Sequence, residues 1–156
     1  MLSICPHLPP VTLVLAAGGR SGGRHVVHER CCGLDSHTKT VVACVLIDEG
    51  TGKVRKHVRT FSTMTADLVA LADWLSSLHV TEVALESTGI FWRPVFTILE
   101  ERCTITLVNA QPIKRVPGRK TDVTDSAWLA DLLRHGLVRA SFIPPKPMRD
   151  LRAVTR

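Results

Sequence analysis

The sequence predicts an α/β domain: a mixed five-stranded sheet flanked by helices. Three observations carry that expectation. Two apolar, partly β-branched runs, at 31–36 and 40–48, are followed after a glycine-containing turn by a third run that alternates apolar and charged residues. Further on, segments with apolar residues at helical spacing alternate with short apolar strands. The resulting order is three strands, then helix, strand, helix, strand, helix, as expected of a sheet whose faces are covered by helices.

Taken in order, residues 1–30 differ from the rest. An apolar stretch at 11–17 leads into a Gly/Arg/Ser segment, and no Lys or Arg precedes Arg20, whereas a secretory signal needs basic residues ahead of its apolar core. A segment this rich in glycine buries too little surface to order itself. Residues 1–30 are therefore expected to be a disordered or non-native N-terminal extension, such as one read from an upstream start codon. The strand at 31–36 ends in an acid, and TVVACVLID at 40–48 reads as a buried second strand. Glu49-Gly50-Thr51-Gly52 supplies turn chemistry. KVRKHVRTF at 53–61, with Val54, Val58 and Phe61 set among charges, reads as a half-exposed third strand antiparallel to the second.

Leu68, Leu71, Ala72, Leu75 and Leu78 predict a helix over 65–78, with Thr65 as its N-cap. A short fourth strand at 81–86 ends in Glu86. Phe91, Val95, Ile98 and Leu99 are expected to share one face of a helix at 90–101, and CTITLVN at 103–109 reads as the fifth strand. A basic Pro/Gly loop at 110–120 precedes an amphipathic helix at 122–134, whose expected apolar stripe is Trp128, Leu129, Leu132 and Leu133. Pro144 and Pro145 then interrupt the chain. The domain is expected to span 31–145, and 146–156 to begin a linker helix toward a further, missing domain.

The 156 residues suffice for one domain with a core, and no run approaches the roughly 20 apolar residues that span a bilayer. The net charge of +6 is unevenly spread. Residues 31–101 balance to −3, while residues 102–156 carry eleven basic against four acidic side chains, which marks the last third as a candidate polyanion-facing surface. The cysteines at 5, 31, 32, 44 and 103 lack zinc-ligand spacing and read as reduced thiols, mostly buried, of a cytosolic protein.

Asp35 and Glu86 each end a strand. If the first and fourth strands are parallel neighbours, both carboxylates project at the same end of the sheet. Asp122 and Asp125, three apart, share a helix face that continues to Leu129 and Leu132 and is expected to point at the sheet. Four converging carboxylates repel unless a cation neutralises them, and oxygen-only donors suit Mg²⁺ or Mn²⁺. Each acid also has a plainer reading. Asp35 can cap a turn with Ser36 and Thr38, Glu86 can be an exposed strand-end charge, and Asp122 and Asp125 can form a helix cap. Spacing alone leaves these readings open. Lys114, Arg115, Arg119 and Lys120 precede the paired aspartates, where they can hold a phosphate backbone or simply keep a loop soluble. Trp92 reads as a core aromatic more readily than as a base-stacking one, and His37 as an incidental polar residue.

GLDSHTKT at 33–40, ALESTGIFWRP at 84–94, VNAQPIKRVPGRKTDVTDSAWLADLLRHG at 108–136 and ASFIPP at 140–145 resemble the DEDD-type transposases of bacterial insertion sequences, over about Cys32 to Arg156. The resemblance implies a ribonuclease-H-like fold similar to the RuvC Holliday-junction resolvase. It places the family's four acidic positions on Asp35, Glu86, Asp122 and Asp125, as ligands of divalent metal for DNA strand cleavage and transfer. It further implies DNA as substrate, a structured noncoding guide RNA and homo-oligomeric assembly, in a bacterial cytoplasm and without a membrane. In the family a second domain supplies a nucleophilic serine, so the expectation here is a truncated product. Two other readings stand beside it: a catalytically incomplete nucleic-acid-binding fragment, and an actin-like or sugar-kinase-type ATP-binding domain. For the latter, Ser87-Thr88-Gly89 is the one candidate phosphate loop.

Overall fold

A computed structural model describes residues 25–50, 53–87, 89–109 and 122–154, the side chains at 122–124 and 153 excepted. The elements are β1 (Arg30–Ser36), β2 (Thr40–Asp48), β3 (Val54–Ser62), α1 (Thr65–Ser77), β4 (Glu82–Glu86), α2 (Trp92–Leu99), β5 (Thr104–Val108), α3 (Asp122–Arg134) and α4 (Lys146–Val154). The five strands form one sheet in the order β3-β2-β1-β4-β5. The β1–β2 and β2–β3 pairs are antiparallel, as short hairpin connections allow. The β1–β4 and β4–β5 pairs are parallel, each reached through a crossover helix.

Strand alternation sends successive side chains to opposite faces, and both faces are covered. Cys32, Leu34, Val41, Ala43, Val45, Val83 and Leu85 pack with Leu68, Leu71 and Leu75 of α1 and Val95 and Leu99 of α2. On the other face Cys31, Cys44, Leu46, Ala84 and Val108 pack with Leu129, Ala130 and Leu133 of α3. The neighbours Cys31 and Cys32 thus enter different cores. Cys31, Cys32, Cys44 and Cys103 are all buried free thiols; Cys5 lies outside the described residues. Burial pushes the Cys31 thiol up to about 12, so it acts as a small hydrophobe, and its Sγ donates to the Ala130 carbonyl at 3.3 Å.

Four details differ from the sequence expectations. Position 64 rather than Thr65 caps α1, without a side-chain bond; instead the Met64 backbone N–H donates to the Ser62 hydroxyl at 3.1 Å. The buried face of α2 is Val95, Phe96 and Leu99, with Phe91 only half-buried and Ile98 half-buried against the core, and the helix is shorter than expected. The buried stripe of α3 is Ser126, Leu129, Ala130 and Leu133, while Trp128 and Leu132 are half-buried. Small residues displace larger ones there because the helix comes so close to the sheet. Trp92 packs against the core edge-on to Phe96, with ring centroids 5.8 Å apart, as its core reading anticipated.

The close approach of α3 is made possible by Gly33. A Cβ there would lie 2.1 Å from the Ser126 carbonyl oxygen and 2.6 Å from the Ala130 amide nitrogen, both backbone atoms that cannot swing away. The C-terminal end of α3 is tied down separately. The Arg134 carbonyl accepts from the backbone N–H groups of Val27 and His28, and Arg134 Nη2 donates to Asp48 Oδ2 at 2.5 Å. Gly136, at φ 66°, ends the helix in a left-handed turn. Replacing Gly33 by alanine is expected to lower stability by about 1–3 kcal/mol through overpacking. Urea unfolding of the two proteins checks this; an unchanged midpoint would mean that α3 does not sit on β1.

Candidate active site

Asp35 and Glu86 meet because of strand register. Parallel pairing matches Cys31 with Glu82 and Leu34 with Leu85, so the next step sets Asp35 beside Glu86. Alternation gives both the face that carries Cys31, Gly33 and Ala84, the face beneath α3. Both carboxylates are buried, at 3% and 2% exposure, so Glu86 is not an exposed strand-end charge.

Two buried carboxylates placed side by side resist being ionised together. Burial, and then the charge of Glu86, raise Asp35 from the ordinary 3.8 to about 6. His37 opposes the shift, its Nε2 lying 3.1 Å from Asp35 Oδ2. The sequence reading passed His37 over as incidental. His37 lies two residues after Asp35, one step past the end of β1. The short turn sealed by the His37 N–H on the Thr40 carbonyl, at 2.8 Å, sets the ring's position.

Ser126, buried on the first half of α3, lies over the same strand. Cys31 touches Ala130, and Gly33 lies against both Ala130 and Ser126, so α3 runs antiparallel to β1 and its first turn lies toward the Asp35 end. Asp125 sits half-buried in that first turn. Asp122 begins the helix, and its side chain lies outside the described residues, as does the loop with Lys114, Arg115, Arg119 and Lys120. Among the described residues, no three His, Cys, Asp or Glu side chains are grouped so as to hold a metal ion. The structure therefore unites Asp35 and Glu86 and adds His37. As a donor set the carboxylate pair fits a hard cation, since two adjacent buried carboxylates need either a proton or a cation between them.

A mixed sheet ordered β3-β2-β1-β4-β5, with an acid ending each of its two central parallel strands, defines the ribonuclease-H-like class. The RuvC structure of Thermus thermophilus aligns with 72% of this chain and 99% of its own, at 13% identity and a TM-score of 0.52. The same organism's RuvC in complex with a Holliday junction substrate aligns with 73% of this chain and 100% of its own, at 13% identity and a TM-score of 0.49. A Fowlpox virus resolvase complexed with Holliday junction DNA aligns with 61% of this chain and 67% of its own, at 12% identity and a TM-score of 0.41. A search of curated proteins found no match. The model of the IS110-type DEDD transposase family, described as a transposase, matches residues 32–156. The chain belongs to this transposase family.

The raised Asp35 makes a signed prediction for the metal-free protein. Between 3.8 and about 6 the folded state binds more protons than the unfolded state, so this contribution to stability is complete below that window and is lost as pH rises through it. In chelator, Asp35→Asn is expected to be more stable than wild type near pH 7.5, by about 1–3 kcal/mol, with the gap closing near about pH 4. Denaturant unfolding across pH reads the difference; a gap that widens on acidification would contradict the assigned direction.

Proposed function

We propose that this chain is a DNA-cleaving domain of a transposase, in which Asp35 and Glu86 hold Mg²⁺ or Mn²⁺ together with carboxylates from the first turn of α3, Asp122 and Asp125. The observation that carries this reading is the buried Asp35–Glu86 pair, set side by side by the register of β1 and β4. The direction of α3 supports the remaining two ligands, because its first turn is the part of the helix that lies toward Asp35. Held by Asp35, Glu86, Asp122 and Asp125, a divalent ion would supply activation of an attacking oxygen and stabilisation of the leaving oxygen at phosphorus.

The chain's own residues supply placement. The β1–β4 register fixes the two carboxylates, and His37 orients Asp35 through its 3.1 Å contact. The cover of α3 over the sheet keeps bulk water from screening the charges. Lys114, Arg115, Arg119 and Lys120 hold the phosphate backbone just ahead of α3 in this reading. Family membership extends the proposal to strand transfer in transposition, a structured guide RNA and a homo-oligomer. Among the described residues no helix is long and apolar enough to cross a membrane.

Nicking of supercoiled plasmid in Mg²⁺ or Mn²⁺ tests the reading. Cleavage is expected for wild type and absent in Asp35→Asn, Glu86→Gln and Asp122→Asn. His37→Ala, which removes a partner of a ligand, is expected to weaken metal binding by about 10-fold to 100-fold. Metal-induced thermal stabilisation, present in wild type and lost in Glu86→Gln, provides a readout independent of cleavage. Salt-sensitive DNA binding that survives all these substitutions, with no nicking in any divalent metal, would replace the enzyme with a binding module.

A further inference from the structure

β3 is the free edge of the sheet on the side away from β4 and β5. The opposite edge, β5, is partly closed by the bridge between Val108 and Ala140 and by the Ser141 N–H donated to the Leu107 carbonyl. Apart from Lys56, the basic residues along β3 follow a period of two. Arg55, His57 and Arg59 stand opposite Ile47, Val45 and Ala43, which face α1 and α2, so the three share that side of the sheet. Lys53 continues the row one step beyond the strand. Successive members are about 6.6–6.8 Å apart along the chain, so the row is about 20 Å long.

We propose that this row is a second nucleic-acid contact, binding the phosphate backbone of duplex DNA outside the cleavage site. The proposal rests on the DNA reading above. Charge complementarity identifies the occupant: β3 contains no acidic residue although residues 31–101 as a whole are net acidic. Lys53, Arg55 and Arg59 are exposed. Among the described residues Glu49, which holds Arg55 Nε at 2.9 Å, is the acid paired with the row, and both partners of that pair are solvent-exposed and weakly coupled. Arg59 is already positioned, its guanidinium 5.3 Å from the Trp74 ring centroid.

That same stacking decides between duplex and single strand. Single-strand binders offer open aromatic faces to successive bases. Here Trp74 is covered by Arg59 and packed against Phe61 at 5.7 Å, so the row offers charge without a stacking platform. Protection of an edge strand from pairing with another chain is not a sufficient reason for the row. A single edge lysine achieves that, and Lys56, on the other face of β3, supplies it. The row ends at the same end of the sheet as the candidate active site but on the opposite face: Arg59 pairs with Ala43, which pairs with Leu34, the residue before Asp35.

The test measures binding of a fluorescent DNA duplex of arbitrary sequence by anisotropy, in calcium to prevent cleavage, between about 50 and 200 mM salt. The triple variant Lys53→Gln/Arg55→Gln/Arg59→Gln is expected to bind more weakly and to lose roughly 2 to 3 from the magnitude of the log–log salt slope, about 0.9 per phosphate contact. Arg55→Lys/Arg59→Lys, which keeps the charge, is expected to retain the wild-type slope. A Lys146→Gln/Arg152→Gln control on α4 is expected to lose less per charge. An unchanged slope in a folded triple variant, or an equal loss per charge in the control, would overturn the edge-strand contact while leaving the transposase reading intact. Tighter binding of an A-form RNA duplex through the same three residues would overturn the choice of DNA. Absence of any duplex binding by wild type would sink both readings together.

Discussion

The structure turns on the parallel pairing of β1 with β4 at the centre of the sheet. One register places Asp35 against Glu86, and a slip of one residue would send either side chain to the opposite face. Because β1 is flanked on both sides and covered by helices, the two carboxylates meet away from water. Burial, and then the proximity of the two charges, disfavours their ionisation, as the upward displacement of Asp35 to about 6 reflects. A fold selected only for stability would not put two acids there. The surrounding apolar packing is what tolerates them, and a bound cation is what would turn the cost into affinity.

α3 is arranged around the same constraint. Its C-terminal half is fixed by Leu129, Ala130 and Leu133 in the core, by Arg134 on Asp48, and by the Val27 and His28 amides on its last carbonyl. Gly33 permits backbone-to-backbone approach at Ser126 and Ala130. The helix is thereby held with its first turn toward the acidic pair. The N-terminal end of a helix dipole also favours negative charge, which suits aspartates at its start.

The far edge of the sheet has a different character. β3 is exposed along most of its length, and its charge is entirely basic. α1 covers one end of it through Trp74 and Phe61, and beyond that contact the row is open to solvent. The sheet thus joins an acidic interior, suited to a cation, to a basic rim, suited to a polyanion. Both belong to one rigid frame, which sets the distance between them.

Nearly all the architecture was legible before any coordinates. Hydrophobic period and turn residues located the five strands and the helices, and the motifs around Asp35, Glu86 and the start of α3 identified the family that the comparison over residues 32–156 establishes. Periodicity fails where a side chain's burial depends on what lies opposite. Ala130 replaced Trp128 in the buried stripe of α3 because Gly33 lets the helix come too close for an indole, and Phe96 replaced Phe91 on α2 for want of any local rule. His37 gained its role only from the position of a carboxylate folded against another strand. By itself, then, the sequence determined which segments become strands and helices and which acids end them, because those properties are local. Only the tertiary structure decided that Asp35 and Glu86 lie side by side in a buried setting, because that depends on the register between segments about fifty residues apart, which no local pattern encodes.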